Sequence, residues 1–520
     1  MTHLNNRVCD KVALLILILF VVACTEAPVS SSNGDPTGPN IILLMADDMG
    51  WGDTGHNGHP VLKTPSLDEM ASGGLVFNRF YAAAPVCSPT RASVLTGRHP
   101  FREKIFFAMV GDSPSALEAD EASLGRLLND AGYRTGFFGK WHLGTMTRDV
   151  VDGRYGGPGS GALYSPPWEH GFDTVFATES RVPTYDPTVR PRSQPGADPV
   201  RHPIEENVEG YKRGWWAPLD NPDDGIVWGT RYWQEDGQAV SRRLDGDDSR
   251  ILIDEVIDFV QQGDGQPFFA VVWFHTPHLP LVAGEQDQQV YKGESFFDRT
   301  YYGAVSAMDR EIGRLRGRLK DSGLADNTVL WFTSDNGPES LSDIKPGETR
   351  GLRGRKRSLY EGGIRVPGIV EWPARLEAGT TTDVPAVTTD IYPTVLGWAG
   401  VELPSDKVLD AKDLDGAMLG KETLRDSPIG FESQYQLAWT DDRYKLVFVP
   451  QDLDAQSRQA ARHSQNPASD FEFELYDIVS DFGETTNIAA ERPEIVSDMS
   501  RQLASWRASV ANSIEGIEQN

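Results

Sequence analysis

Three features of the sequence predict an α/β fold: a large, mainly parallel or mixed sheet sandwiched by helices, with a small C-terminal α+β subdomain. Continuous apolar runs bounded by Gly, Asp or Asn recur as Ile41–Ala46, Thr135–Phe138, Phe268–Phe274 and Val329–Thr333, the pattern of strands buried on both faces. Helix-length patterns lie between them, and alternation of the two element types is what a covered parallel sheet requires. From about Asp426 the pattern changes to short alternating segments followed by one amphipathic stretch. With 520 residues, 39% hydrophobic and 24% charged, the chain is long enough for such a core and too apolar for disorder. Its net charge of −27, from 49 Lys+Arg against 76 Asp+Glu, argues against nucleic acid or an anionic lipid surface as partner. An anionic substrate must therefore meet a locally positive pocket.

In chain order, Arg7 and Lys11 flank the start of the apolar run Val12–Val22, which has the length of a signal-peptide core and is short for a membrane span. It ends Val21-Val22-Ala23-Cys24, similar to a bacterial lipobox. This predicts removal of residues 1–23 and lipidation of Cys24. It also predicts a place in the bacterial cell envelope, at the outer membrane on its periplasmic or surface face, with the membrane met only through the lipid. Residues 24–39, rich in Ser, Pro and Gly, read as a flexible tether. The main α/β domain is expected over 40–425 and the subdomain over 426–520. Within the first, Thr64–Ser72 opens with Thr-Pro, Ser123–Ala131 stops before Gly132, Ser249–Gln262 is amphipathic, and Tyr301–Ser322 is closed by Gly323, all helix signals. Val150–Arg250 breaks the rhythm, with many Pro and Gly and with Trp215, Trp216, Trp228, Tyr232 and Trp233. It reads as a long surface excursion whose aromatics pack into the fold more readily than they stack on sugar rings. In the subdomain, short strands are expected around Trp439, over Tyr444–Val449 and Phe473–Tyr476, and a helix near Glu494–Val510.

Chemistry in a parallel sheet gathers at the carboxyl ends of its strands. The run Ile41–Ala46 ends in Asp47-Asp48, and Val329–Thr333 ends in Ser334-Asp335-Asn336-Gly337. Either group alone reads as a strand-end cap or Asx turn. Three carboxylates in one crevice, however, repel unless a cation joins them, and hard oxygen donors without a His or Cys cluster favour calcium or magnesium over zinc. Of the three cysteines, Cys9 leaves with the signal and Cys24 carries the lipid. Cys87 is left without an internal partner, a thiol either buried by chance or used chemically. It stands at a predicted helix start, with Arg91 one turn along, where free N–H groups, the helix dipole and a guanidinium favour a tetrahedral oxyanion.

The stretch Cys87-Ser88-Pro89-Thr90-Arg91, followed by Leu95-Thr96-Gly97-Arg98, resembles the signature of type I, formylglycine-dependent, arylsulfatase-like enzymes of the alkaline phosphatase superfamily. Asn40–Asp53, Gly139–Gly144, Phe274–Leu281, Ser334–Gly337 and Leu352–Pro367 match further blocks in the family's order, so the resemblance spans nearly all of the chain after the tether. It implies sulfate ester hydrolysis, with Ca2+ held by Asp47, Asp48, Asp335 and Asn336. It implies that Cys87 is oxidised to formylglycine (3-oxoalanine) by a formylglycine-generating or sulfatase-maturating enzyme, and that Arg91 steadies the hydrated aldehyde. Lys140 and Lys356 match sulfate-binding lysines. His278 matches the histidine that protonates the departing alcohol, with His275 the weaker candidate. His142 matches the base that lets the second hydroxyl expel the sulfate. If residues 140–142 are extended, Lys140 and His142 point the same way.

Phosphomonoesterases and phosphodiesterases of the same superfamily share the sheet and the strand-end carboxylates. They use Ser or Thr with two transition metals and so need further His and Asp ligands. A lipid-anchored glycan-binding protein with a vestigial site is the alternative from another class. The export signal and the aromatic excursion point to sulfated saccharides, such as glycosaminoglycan or algal polysaccharide fragments, as substrate. Arg181, Arg190, Arg192 and Arg201 offer cations for neighbouring sulfates or uronates, although solvated surface charge is the commoner role of such residues.

Overall fold

Each of the four apolar runs forms a strand of one nine-stranded sheet. The computed structural model describes residues 38–109, 115–119, 122–153, 155–190, 214–263, 265–340, 344–450 and 472–517. The signal region, Cys24, the tether up to residue 37, Arg192 and Arg201 lie outside the described residues. The strands are β1 Asn40–Ala46, β2 Leu75–Phe77, β3 Arg134–Lys140, β4 Thr174–Thr178, β5 Tyr232–Gln234, β6 Phe268–Trp273, β7 Thr328–Ser334, β8 Ile369–Glu371 and β9 Thr380–Thr382. Their spatial order is β9-β2-β8-β7-β1-β6-β3-β4-β5. Strands β7, β1, β6, β3 and β4 run parallel, and β8 and β5 flank them antiparallel.

Both faces of β1 are apolar because it feeds two cores. Ile42 and Leu44 enter one, and Ile41, Leu43 and Met45 the other, the period-two split of a strand covered on both sides. Helices α1 (Pro65–Gly73), α4 (Asp248–Gln261) and α5 (Phe296–Asp321) cover the first face, and α2 (Cys87–Thr96), α3 (Leu124–Asp130) and α6 (Ile391–Ala399) the second. Local chemistry sets several boundaries. Ser123, Asp247 and Ser295 accept from the third amide inside α3, α4 and α5, satisfying donors that have no partner within the helix. The Ser295 cap starts α5 at Phe296, ahead of the Tyr301 that periodicity suggests.

One expectation needs correction. The stretch Val150–Arg250 is more than a surface excursion, because it supplies β4 and β5 to the main sheet. Both are short and become strands through the register with β3 and with each other, which a local pattern cannot show. Its aromatics do pack: Tyr232, Trp233, Trp215 and Trp216 are all buried, and half-buried Trp228 meets Trp216 edge-on.

The C-terminal strands β10 (Ile429–Ser433), β11 (Gln436–Thr440), β12 (Tyr444–Phe448) and β13 (Glu474–Asp477) form an antiparallel sheet in chain order. One face, with Phe431, Ala438, Val447 and Tyr476, packs on Tyr81, Leu359, Tyr360 and Ile364. The other, with Leu437, Trp439, Leu446 and Leu475, is covered by Met499 and Leu503 of α7 (Pro493–Ile514). The β10–β11 turn places Gln434 and Tyr435 at φ of 49° and 64°, the two left-handed residues of a tight hairpin, here without glycine.

Candidate active site

Parallel pairing of β1 with β7 sets Ala46 beside Ser334, so Asp47-Asp48 and Asp335-Asn336 leave the sheet at one edge. Asp335 N donates to Ala46 O (3.1 Å) and Asp47 N to Thr276 O (3.0 Å), carrying the strand register one residue beyond the sheet. Asp48 then turns into the left-handed region, with φ of 70°, and its amide donates to Asp335 Oδ1 at 3.0 Å. All four residues are buried. Burial, together with the neighbouring carboxylates, raises Asp48 and Asp335 above the usual carboxylate range, the electrostatic penalty of gathering acids in one place.

Cys87 is the first residue of α2, and Val86 before it gives no side-chain cap. The helix start therefore faces this acidic edge with its amide dipoles. Cys87 Sγ lies 3.5 Å from Asp47 Oδ1 and 3.6 Å from Lys356 Nζ. Burial pushes the thiol far above its ordinary pKa, so the unmodified side chain is an uncharged, weak nucleophile. Arg91, one turn on and fully buried, grips Asp335 Oδ2 through Nη2 (2.7 Å) and Nε (3.2 Å). It also donates to Lys140 O (2.9 Å), stands 3.6 Å from Asp47 Oδ2, and lies over the Trp273 ring.

Two lysines complete the charge balance. Lys140, the last residue of β3, reaches Asp47 Oδ2 at 2.7 Å, and Lys356 pairs with Asp48 Oδ1. Burial alone would lower Lys356, but the Asp48 carboxylate beside it raises it, so it is a fixed cation. His142 is not reached by an extended chain as expected. It sits at φ of 57°, tied through its amide to Glu179 O at 3.0 Å, and its Nε2 is 3.3 Å from Met109 O. Its Nδ1 is buried without a hydrogen-bond partner. Burial first, then Lys140 and Arg91, lower it well below the ordinary histidine range. His278 is lowered in the same way by burial, Lys140 and Lys356. Its Nδ1 bonds Leu279 O, and its Nε2 stands 3.7 Å from Asp48 Oδ2. His275 is elsewhere: Nδ1 bonds Asp248 Oδ2 and Nε2 bonds Thr178 Oγ1, both at 2.8 Å, in a fully buried strut.

The donor set suits a hard divalent cation. Asp48 Oδ2 and Asn336 Oδ1 are buried polar atoms without a hydrogen-bond partner. Among the described residues, Asp47, Asp48, Cys87 and His278 bring ligand atoms within 4.8 Å of one another. With Asn336 Oδ1 beside them, the carboxylates of Asp47 and Asp48 offer the hard oxygen donors that calcium takes. His278 was absent from the sequence-predicted ligand set, and Asp335 is engaged by Arg91. Sequence reasoning also passed over Glu339, which pairs with Arg357 (2.5 Å) and stands 4.0 Å from Lys356 Nζ, because a lone Glu in a loop carries no signal. It likewise passed over the role of Asp53, which accepts from Gly50 N, Tyr301 Oη and Glu348 N and ties the loop after Asp48 to the loop before Lys356. Arg181 follows β4 and acts electrostatically on His278, while Arg190 lies in a separate two-stranded pair with Ile226–Val227.

The chain is similar to known proteins. The sulfatase family model matches residues 39–401. N-acetylgalactosamine-6-sulfatase of Sus scrofa is 34% identical over 436 residues, covering 80% of this chain and 72% of that protein. Steryl-sulfatase of Rattus norvegicus is 31% identical over 453 residues, covering 79% and 74%. The crystal structure of Ps i-CgsB in complex with k-i-k-neocarrahexaose superposes with a TM-score of 0.72 at 27% identity, covering 90% of this chain and 93% of that one.

Proposed function

The chain belongs to the sulfatase family and hydrolyses sulfate esters, and on that premise we propose that it desulfates carbohydrate oligomers with a formylglycine made from Cys87 and a calcium ion. The observation that carries this reading is the position of residue 87: a buried helix-start side chain between Asp47 and Lys356. The hydrated aldehyde at position 87 would supply an oxygen nucleophile, and Asp47, Asp48, Asp335 and Asn336 would hold the calcium, whose positive charge would help bind an anionic ester.

The chain's own groups divide the remaining work. Lys140 and Lys356 present ammonium groups that spread positive charge over an anionic ester in a water-poor site. Arg91 pairs with Asp335 and stands beside Asp47, offsetting part of the negative charge gathered at the helix start. His278 holds a nitrogen at the mouth of the cluster, the atom we assign to proton delivery to the departing alcohol. With Nδ1 bonded to Leu279 O, Nε2 carries a proton only as imidazolium, a form that burial, Lys140 and Lys356 disfavour and that an anionic ester bound beside the two lysines favours. His142, neutral and with Nδ1 unpartnered, is the base assigned to the hydroxyl of residue 87.

Support for a carbohydrate substrate comes from two similar proteins, N-acetylgalactosamine-6-sulfatase and the neocarrahexaose-bound Ps i-CgsB. Expression with a maturation enzyme should give a peptide in which residue 87 has lost sulfur and gained oxygen by mass spectrometry. That protein should turn over a chromogenic aryl sulfate and at least one of a panel of sulfated saccharides. Cys87→Ala should stay folded and lose turnover by at least about 10³-fold. An active alanine variant overturns the mechanism, and activity confined to aryl sulfates overturns the substrate class.

We further propose the envelope location from the lipobox. Among the described residues no helix is long and apolar enough to cross a membrane. Cys24→Ala should move the protein from the membrane fraction to the soluble fraction, and an unchanged partition would rule out the lipid anchor.

A further inference from the structure

The loop that carries Lys356 is held in part by the C-terminal sheet. Arg357, the next residue, stands at φ of 75°, a conformation a residue with a Cβ keeps only when its surroundings fix it. Its amide donates to Pro85 O at 2.8 Å, two residues before Cys87, and Lys356 N donates to Pro338 O at 3.1 Å, two residues after Asn336. The opposite side of this turn is closed by Gln436, the first residue of β11. Leu359 N donates to Gln436 Oε1 at 2.8 Å, and Gln436 Nε2 donates to Arg357 O at 2.7 Å. One buried carboxamide therefore satisfies a donor and an acceptor on the two limbs of the turn.

Gln436 is itself well fixed. It pairs with Ser433 across the tight Gln434–Tyr435 turn, so the carboxamide is mounted on a hairpin. A second tie follows in the same direction. Glu361 N donates to Glu484 Oε2 at 2.7 Å, and buried Lys445 pairs at 2.9 Å with both Glu361 and Glu484. The C-terminal sheet thus grips residues 357–361 at two points, directly after the lysine whose ammonium lies 3.6 Å from Cys87 Sγ.

We propose that Gln436 is a positioning residue for Lys356, through which the C-terminal subdomain completes the sulfate-binding corner of the active site. The inference rests on the reading of Lys356 as a sulfate-binding cation. The residue type fits the task, because a carboxamide offers a donor and an acceptor at one end. Glutamate would keep the acceptor for Leu359 N but face Arg357 O with a second acceptor. Alanine would leave both backbone groups unpaired. A cation displaced by even about 1 Å loses much of its effect on a transition state.

The test is a double-mutant cycle on kcat/KM for an aryl sulfate, with Q436A, K356A and the double variant at matched formylglycine content and with melting temperatures recorded. Lys356→Ala should cost about 10²-fold and Gln436→Ala about tenfold. The double variant should be no worse than K356A alone, since an absent lysine cannot be misplaced. Losses that multiply in the double variant, or a Q436A enzyme within twofold of wild type, overturn the proposal. A merely structural glutamine would give the multiplicative result. Wild-type activity in K356A overturns the reading of the lysine itself, and the proposal with it. Should Q436A fail to fold, Q436E, which keeps the bond from Leu359 N, carries the same cycle.

Discussion

His275 and His278 lie within one short segment and have opposite fates. His275 joins the end of β4 to the start of α4 through Thr178 and Asp248, while His278 faces the acidic cluster. The sequence ranks His278 first only through family resemblance, because the Asp248 that claims His275 cannot be located from spacing. His275→Ala should therefore cost about 1–3 kcal/mol of stability by leaving Asp248 Oδ2 unpaired while Oδ1 keeps the Tyr232 hydroxyl, read as a lower melting temperature. His278→Ala should keep the melting temperature and lose about 10²–10⁴-fold in kcat. The loss should be larger for a sugar sulfate than for a nitrophenyl sulfate, whose leaving group needs less protonation. Equal losses for the two substrates would remove His278 from proton delivery.

At the level of elements, the site is built from strand ends and one helix start, and these were the parts most legible in the sequence. The runs before Asp47 and Asp335 are continuous because both faces of β1 and β7 are buried, so the residues directly after them were open to inspection. Strands β2, β5, β8 and β9 escaped notice because they are only three residues long and owe their conformation to pairing. The same limit explains His142: extension from Lys140 was a local inference, while its left-handed turn is set by Glu179 on another segment. The buried acids at the strand ends predict a metal requirement. Chelation should abolish turnover and lower the melting temperature by several degrees, since a ligand bound only by the native state stabilises it. Both should return with calcium. Restoration by zinc alone would favour phosphatase-like chemistry.

Across the whole molecule, the C-terminal sheet is joined to the segments around Tyr81 and Glu361 by more than apolar packing. Lys445 is completely buried and pairs with Glu361 and Glu484, and Tyr81 Oη also donates to Glu361. None of these residues shows its partner in sequence, because charged side chains in short strands look like surface. Lys445→Met should cost about 3–5 kcal/mol by removing the cation shared by two buried carboxylates, measurable by denaturant unfolding. A neutral result would mean that water or a proton relieves the pair.

The enclosure of α2 would set the timing of the oxidation proposed for Cys87. All ten of its residues are buried, and Cys87 is only 1% exposed, so an enzyme of ordinary size has no route to that sulfur once the two layers have closed over the sheet. The oxidation proposed for Cys87 would therefore belong to the life of the chain before it folds, and a molecule that folded too early would keep its thiol.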